Sequence, residues 1–505
     1  MTDLGDPDRI PVLIGVGEIC DRPAVDTEGL DSIELMLAAL TEAEHDAGVP
    51  ILHKLDWLGV EDQISFPIPS PHDALADLLP ERPRRVVKTI EASGDGPLQL
   101  LNDAANLIGR GEIRLAAMAG GEALRTAGKR AQADIAAGRQ PPVSSVAEVA
   151  EANAKPLARK YGLLTPIDVY PLYENATRSA WGQTLDEGQT ESATIWAGSS
   201  QVAAANPNAW LRKAVPANHI REVTADNRMV SFPYTKLMVA NASVNMGAAV
   251  ILASLAMARE LGIAEDRLVF VGAGAAAHED EDFLLRDSYV RSASLETTVA
   301  EALSRNGLEA EQIDHVELYS CFPCVPKMAR RVLGWPADRP TTVYGGLTFG
   351  GGPIGNCMMH AVARMVVLLR AGAAQENGLI VANGGYATHS HSLVLTSAPV
   401  AAGTFPQDYN VQPVADAKRG PTPDLLAEHV GPGVIETYTV PFDRHGKPRG
   451  ATVIARTPDG ARFVAAVPSD DADTLALLTG CDGDPIGRAG FGERNGDRVF
   501  WKVAS

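Results

Sequence analysis

The sequence predicts a duplicated α/β chain that carries a helical insertion and ends in a small β-barrel, and three features of its 505 residues predict this. The segment Leu98 to Gly121 (LQLLNDAANLIGRGEIRLAAMAGG) has a counterpart in His360 to Gly385 (HAVARMVVLLRAGAAQENGLIVANGG). Each reads as an Ala-rich helix, a break at Arg and Gly, an apolar strand and Gly-Gly. A second pair precedes it in both halves: Ala38 to Val60 and Val299 to Leu318 each read helix, Gly, short connection, strand. After Gly433 the texture changes to short alternating strands split by turns.

Taken in order, residues 11–17 (PVLIGVG) give a buried strand, Asp31 to Gly48 an amphipathic helix, and Asp56 to Val60 a second strand. The first half closes near Arg125. From there to about Pro233 strong strand signals stop, and Ala, Pro and Asn accompany helical patterns at Val146 to Tyr161 and Ser199 to Asn206, which predicts a helical insertion. The run Leu237 to Ala258 is interrupted by Asn241, Ser243, Asn245 and Gly247, so AAVILAS reads as a buried strand feeding a short helix rather than a membrane span. The α/β pattern ends near Ser397 in a Pro- and Ala-rich linker. Beyond it VIETYTVPF, the turn Asp443 to Lys447, ATVIART, Pro458-Asp459-Gly460 and ARFVAAVP predict a barrel of OB type. The expected units are 1–124 with 231–265, 125–230, 266–397, the linker 398–432 and the barrel 433–505.

With 45% hydrophobic residues the chain can bury a large core. A formal charge of −19 argues against nucleic acid and anionic membrane, which require a dense basic face. The acidic N-terminus lacks the pattern of an export signal, and five cysteines without a framework of spacings fit a reducing compartment, so a cytoplasmic location is expected.

Five segments then carry a more specific pattern: IEASGDGPLQLLNDAANLIGRGEIRLAAMAGGE, PYTKLMVANASVNMGAAVILAS, IDHVELYSCF, YGGLTFGGGP and ANGGYATHS. In this order they resemble, respectively, the nucleophile loop with its helix and strand, the segment after the insertion, the Asn-Glu-Ala-Phe or His-Asp-Cys-Phe loop, the Gly-His-Pro loop and the Cys-x-Gly loop of the thiolase superfamily. The resemblance is closer still to its thiolase-like type 1 branch and the sterol-carrier-protein-type thiolases, and it covers roughly residues 10 to 397. It implies a duplicated thiolase fold, layered α/β/α/β/α. The fused barrel is similar to the acyl-CoA-binding OB partners of such proteins, without their zinc ribbon.

A thiolase needs a cysteine nucleophile at a helix N-terminus, a second cysteine as acid/base and an activating histidine. The matching positions here are Gly94, Ala382 and Gly352, so acyl-cysteine chemistry is not expected. The same loops carry Tyr319, at the histidine position of the His-Asp-Cys-Phe loop, and Tyr386, after Gly384-Gly385. Thiolase-fold aldolases that cleave β-hydroxyacyl-CoA esters use tyrosines here, which makes Tyr319 and Tyr386 the candidate acid/base pair, facing one cavity. A filling role for both rings is the alternative. Asn383 and the backbone at Gly94 and Gly352 would hold the thioester oxygen, and Ser243 matches the serine that contacts pantetheine. Basic residues around the insertion, among them Arg125, Arg130, Arg212, Lys213 and Lys236, are candidates to meet the CoA phosphates.

The remaining reactive residues have plainer readings. Cys321 and Cys324 have redox or half-zinc spacing, but no second pair completes a zinc site, so unpaired thiols are expected. His389 and His391 would share one strand face. Asp95 and Pro97 read as the N-cap and first turn of the Leu98 helix, and His360 as a first-turn residue reaching either the cavity or solvent.

Three readings follow. In the first, the chain binds acyl-CoA thioesters, with no covalently bound cofactor and no metal, and makes or breaks a C–C bond by a retro-aldol-like route. In the second it is a catalytically inactive acyl-CoA-binding or carrier protein. The third is acetyl-CoA acetyltransferase chemistry with Cys321 or Ser93 as a displaced nucleophile. The acyl group and a homodimer both stay open.

Overall fold

A computed structural model describes residues 4–141, 150–151, 154–480 and 483–504. The chain opens on β1 (Pro11–Cys20), whose Gly15 and Gly17 let it lie directly on the helix Ser32–Ala47: a Cβ at either would run into the Ala43 or Ala39 carbonyl. That helix starts at Asp31, whose carboxylate accepts the Ile33 and Glu34 amides while Glu34 accepts the Asp31 N–H. It stops at Gly48 in the left-handed region, φ 76°. Then come β2 (Trp57–Val60), β3 (Arg85–Lys88), the helix Gly96–Gly109 and β4 (Leu115–Glu122).

The insertion contributes the helices Leu124–Ala136, Pro156–Lys160, Pro166–Ala180, Leu185–Ala205 and Ala217–Arg221, then β5 (Met229–Phe232) and β6 (Tyr234–Thr235). Of the helical pattern expected over 146–161, residues 146–149 and 152–153 lie outside the described residues, and Pro156–Lys160 is helical. The apolar run after it forms β7 (Met246–Ser254) and the short helix Leu255–Glu260. Among the described residues no helix is long and apolar enough to cross a membrane.

The second half repeats the first: β8 (Val269–His278), the helix Ala293–Arg305, β9 (His315–Leu318), the helices Cys324–Val332 and Cys357–Ala371, β10 (Asn377–Gly384) and β11 (His389–Thr396). The sheet order is β3-β2-β4-β7-β1-β8-β11-β10-β9. Outward from the β1/β8 junction both halves run antiparallel, antiparallel, parallel, through β7, β4, β2 on one side and β11, β10, β9 on the other. The junction is antiparallel, with Val12 opposite Phe270 and Leu13 opposite Val269. The duplication read in the sequence is therefore present in the topology. The helices Gly96–Gly109 and Cys357–Ala371 are buried over most of their surface and share one core cluster. Each Leu, Ile or Met they fully bury contributes about 1.5–3 kcal/mol.

The connection after Thr396 is fitted rather than loose, because its apolar residues Phe405, Val411 and Ala415 are buried. Gln407 pairs with Asn102 and Asn106, and the Tyr409 hydroxyl donates to Asp103 at 2.8 Å. After β12 (Leu425–Leu426), the strands β13 (Gly431–Pro441), β14 (Ala451–Arg456), β15 (Arg462–Val467), β16 (Ala489–Asn495) and β17 (Arg498–Val503) close a five-stranded barrel. Its ring order is β13-β14-β15-β17-β16, and β16 returns to β13. The barrel rests on the insertion: Val440 pairs with Phe232, the Thr437 hydroxyl donates to the Leu172 carbonyl, and Asn175 donates to the Tyr438 carbonyl.

Candidate functional site

The site is built where β2 and β9 end, one residue before Glu61 and Tyr319. These are twin positions in the duplicated halves, and both side chains enter the region where the helices Gly96–Gly109 and Cys357–Ala371 begin. Glu61 is fully buried; it accepts the Ser93 N–H at 2.9 Å, and a Cβ on Gly355 would stand 2.7 Å from its Oε1. Its Oε2 has no partner, and burial pushes its carboxyl well above the ordinary range, which favours the neutral acid. Sequence reasoning passes over Glu61, since WLGVE alone reads as a strand ending at a surface turn. Aligning the twins β2 and β9 is the signal that would find it.

Tyr319 does face Gly94. A Cβ there would lie 2.6 Å from the tyrosine hydroxyl and would also meet the Asn383 carbonyl, so the ring occupies the space of a side chain at 94. The hydroxyl lies beside the Cys357 thiol, and burial raises the phenol well above its usual value. Gly94, Tyr319 and Asn383 are thus brought together, but Asn383 directs its amide to the Tyr170 hydroxyl at 3.0 Å. Gly352 is buried, and its N–H goes to the Asn241 carbonyl at 3.0 Å. Ser243, two residues on from Asn241, is exposed.

Tyr386 turns its hydroxyl to the insertion and not to Tyr319. Its hydroxyl donates to the Leu164 carbonyl of the insertion at 2.8 Å, and burial pushes its phenol up to about 12. Tyr170 stands beside it, edge-on at 6.4 Å, and donates to the Gly385 carbonyl at 2.9 Å. The reason is tertiary: the helix Pro166–Ala180 brings hydroxyls and rings to this loop from far away in sequence.

His360 is neither in the cavity nor at the surface. It is fully buried, with Nδ1 2.8 Å from Glu18 Oε1 on β1. Asp95 stands at the N-cap position without a side-chain cap bond. Its carboxylate instead accepts the Ser93 hydroxyl and lies 3.6 Å from His389 Nδ1, while His389 Nε2 is 2.9 Å from Glu281. The bond to Asp95 pushes His389 up to about 9, against burial. Burial also pushes the Asp95 carboxyl up, but His389 and Ser93 outweigh it and hold it below the ordinary value. His391 is buried against Asn102, and burial lowers it to about 4. Both histidines line an open cleft of about 530 Å³ beside the helix Gly96–Gly109. Among the described residues no group of three or more His, Cys, Asp or Glu is placed to hold a metal.

Cys321, Cys324 and Cys357 are free and buried, and Cys481 lies outside the described residues. Burial pushes the Cys321 thiol up to about 12 and raises the other two as well. A thiol held so far above neutrality is a poor nucleophile. Ser93 donates to the Asp95 carboxylate, a weak base because its carboxyl is held below the ordinary value, and not to an imidazole.

Of the basic candidates, Arg125 is paired with Asp26 and Arg130 donates to the Thr27 and Gly29 carbonyls. Arg212, Lys213 and Lys236 are exposed. Arg212 and Lys213 follow Trp210, which packs on Val244 and Met246 next to Ser243.

Comparison with known proteins fits this geometry. Residues 411–494 match the family described as thiolase-like protein type 1 additional C-terminal domain. Over its whole length the chain is similar to the crystal structure of a monomeric SCP2-thiolase-like protein type 1 from Mycobacterium smegmatis, with a TM-score of 0.84, 28% identity and coverage of 99% of this chain and 100% of that one. Human mitochondrial 3-ketoacyl-CoA thiolase in complex with CoA shares the fold at a TM-score of 0.56 and 13% identity, over 78% of this chain and 99% of that one. An acetyl-CoA acetyltransferase of Schizosaccharomyces pombe is 30% identical over 148 residues, 29% of this chain and 35% of that protein. The chain thus spans about a third of the length of the curated relatives it matches.

Proposed function

Since the chain is a thiolase-like protein of type 1 with that group's additional C-terminal domain, we propose that it binds coenzyme A or its thioesters without forming an acyl-enzyme. The observation that carries this reading is the closure at Gly94, where a nucleophile's side chain would stand and the Tyr319 ring and the Asn383 carbonyl stand instead. Gly352 supplies no imidazole, Ala382 no thiol, and the buried cysteines are held as thiols. The pantetheine arm would pass Ser243 toward Gly352, with Arg212 and Lys213 meeting the phosphates outside. The ring order of the barrel, with the helix Ala472–Thr479 between β15 and β16, supports an OB-type assignment, and its place behind the insertion supports a bracing role.

The retro-aldol reading keeps one supporting observation, a phenol and a buried carboxylic acid, Tyr319 and Glu61, at the same pair of helix starts. It is the weaker reading because Tyr386, its second tyrosine, is committed to Leu164.

Calorimetric titration with CoA and acetyl-CoA, followed by mass spectrometry for adducts and for cleaved or condensed products, tests the proposal. Binding with neither adduct nor product is expected. Turnover of a β-hydroxyacyl-CoA that Tyr319→Phe abolishes while CoA affinity persists would replace it with the lyase reading.

A further inference from the structure

We infer that the site accepts coenzyme A with no acyl group or one of about acetyl size, and rejects longer chains, because a braced set of aromatic rings fills the space on the acyl side. The inference rests on the reading that CoA enters past Ser243 and Gly352. On that reading the acyl group would point past the Tyr319–Gly94 contact toward Asn383, whose carbonyl also stands against Gly94. That direction is closed. Tyr170, whose hydroxyl accepts from the Asn383 amide, stacks on Phe322 with ring centroids 4.6 Å apart. Tyr173 and Tyr386 flank Tyr170 at 6.1 and 6.4 Å, and Phe283 and Tyr289 close the outer edge at 5.4 Å from Tyr386 and Tyr173 respectively. All but Tyr386 are at most 3% exposed.

Such rings could in principle swing aside for a ligand, as single unbonded side chains do. These are tied. The hydroxyls of Tyr170, Tyr173, Tyr289 and Tyr386 donate to the Gly385, Tyr386, Phe283 and Leu164 carbonyls at 2.8–3.0 Å. Moving any of them leaves buried polar groups without partners. The barrel adds a brace from outside. Arg462, fully buried and lying over Tyr289, donates to the Leu284 and Arg286 carbonyls at 2.7 and 2.6 Å. The Arg286 guanidinium in turn donates to the Ala387 carbonyl and the Thr388 hydroxyl, each at 2.9 Å, which fixes the loop that carries Tyr386. A chain of several methylenes would have to displace this assembly, and overfilling a packed core is resisted.

The test is calorimetric titration of the full-length protein with CoA, acetyl-CoA and octanoyl-CoA. CoA and acetyl-CoA should bind within about threefold of each other, and octanoyl-CoA at least about tenfold more weakly. Phe322→Ala, and separately the milder Phe322→Leu, should raise octanoyl-CoA affinity while leaving CoA affinity unchanged. Octanoyl-CoA binding as tightly as CoA to the unaltered protein overturns the inference and leaves the proposed CoA-binding function standing. A protein that binds none of the three overturns both. Variants that fold, by circular dichroism, yet gain nothing for the octanoyl ester also overturn it.

Discussion

Gly94 sits where the main chain begins a helix and has no room for a side chain, because Tyr319 and the Asn383 carbonyl already occupy that volume. Gly94→Ala should therefore destabilise the protein by about 1–3 kcal/mol, as overpacking does. In a Tyr319→Ala background the cost should shrink, and urea unfolding of the four proteins measures the coupling. His389 makes a second prediction at this scale. Its value of about 9 lies above the ordinary 6.5, so its ion pairing with Asp95 and Glu281 stabilises the fold fully below about pH 6.5 and is lost as pH rises through about 9. In His389→Gln that decline should flatten, which thermal unfolding across pH 6 to 10 would reveal. Single residues also mark the limit of reading a sequence. Gly94, Gly352 and Ala382 are legible as positions without a reactive side chain, because a missing side chain needs no geometry. The bonding of Tyr386, His360 and Asp95 is not, since each finds its partner in a segment remote in sequence or, for Asp95, turned away from the cap it seemed to form.

Between elements, the insertion is held to the second half by a buried ion pair. Lys327, on the helix Cys324–Val332, is fully buried and donates to Glu174 of the helix Pro166–Ala180 and, at 2.9 Å, to the Gly188 carbonyl. Tyr234 adds its hydroxyl to the same carboxylate at 2.8 Å. Lys327→Met alone strands that carboxylate and should cost about 3–5 kcal/mol by chemical denaturation. The double variant Lys327→Met with Glu174→Leu should recover much of the loss, because no charge is then left buried. The helices and strands themselves were legible: β1, the Asp31-capped helix and the twin helix–strand units stand close to where their periodicity and caps placed them. The pair that locks the insertion down was not, because Lys327 and Glu174 look like ordinary solvated charges until the two helices meet.

For the whole molecule, opposing titrations should give a stability maximum on the acid side of neutrality, at about pH 5. On the acid side His391, lowered to about 4, must be buried neutral, so stability falls as pH drops from about 6.5 to 4. Burial pushes the Glu191 carboxyl up, but Arg331, Lys327 and Arg330 outweigh it and lower it to about 2, so its contribution is lost as pH falls from 4.5 through 2. As pH rises, Glu122 and Glu317, each raised to about 8 by burial, lose stability from pH 4.5 through 8, and His389 from 6.5 through 9. A melting temperature highest at about pH 5 and lower at both about pH 3 and about pH 9 is expected by scanning fluorimetry; a flat profile would contradict the assigned shifts. The sequence by itself determined the duplication, the insertion, the barrel and the absence of cysteine and histidine from positions 94, 352 and 382, because periodicity, turn residues and residue identity are local properties of the chain. Only the tertiary structure decided that the Tyr319 ring takes the space of a side chain at 94 while the Tyr386 hydroxyl is tied to Leu164, that Glu61 is buried against Ser93 and Gly355, and that Arg462 of the barrel lies over Tyr289. Most of these contacts join segments far apart in the chain, and nothing in the spacing of residues along it fixes which of them will meet.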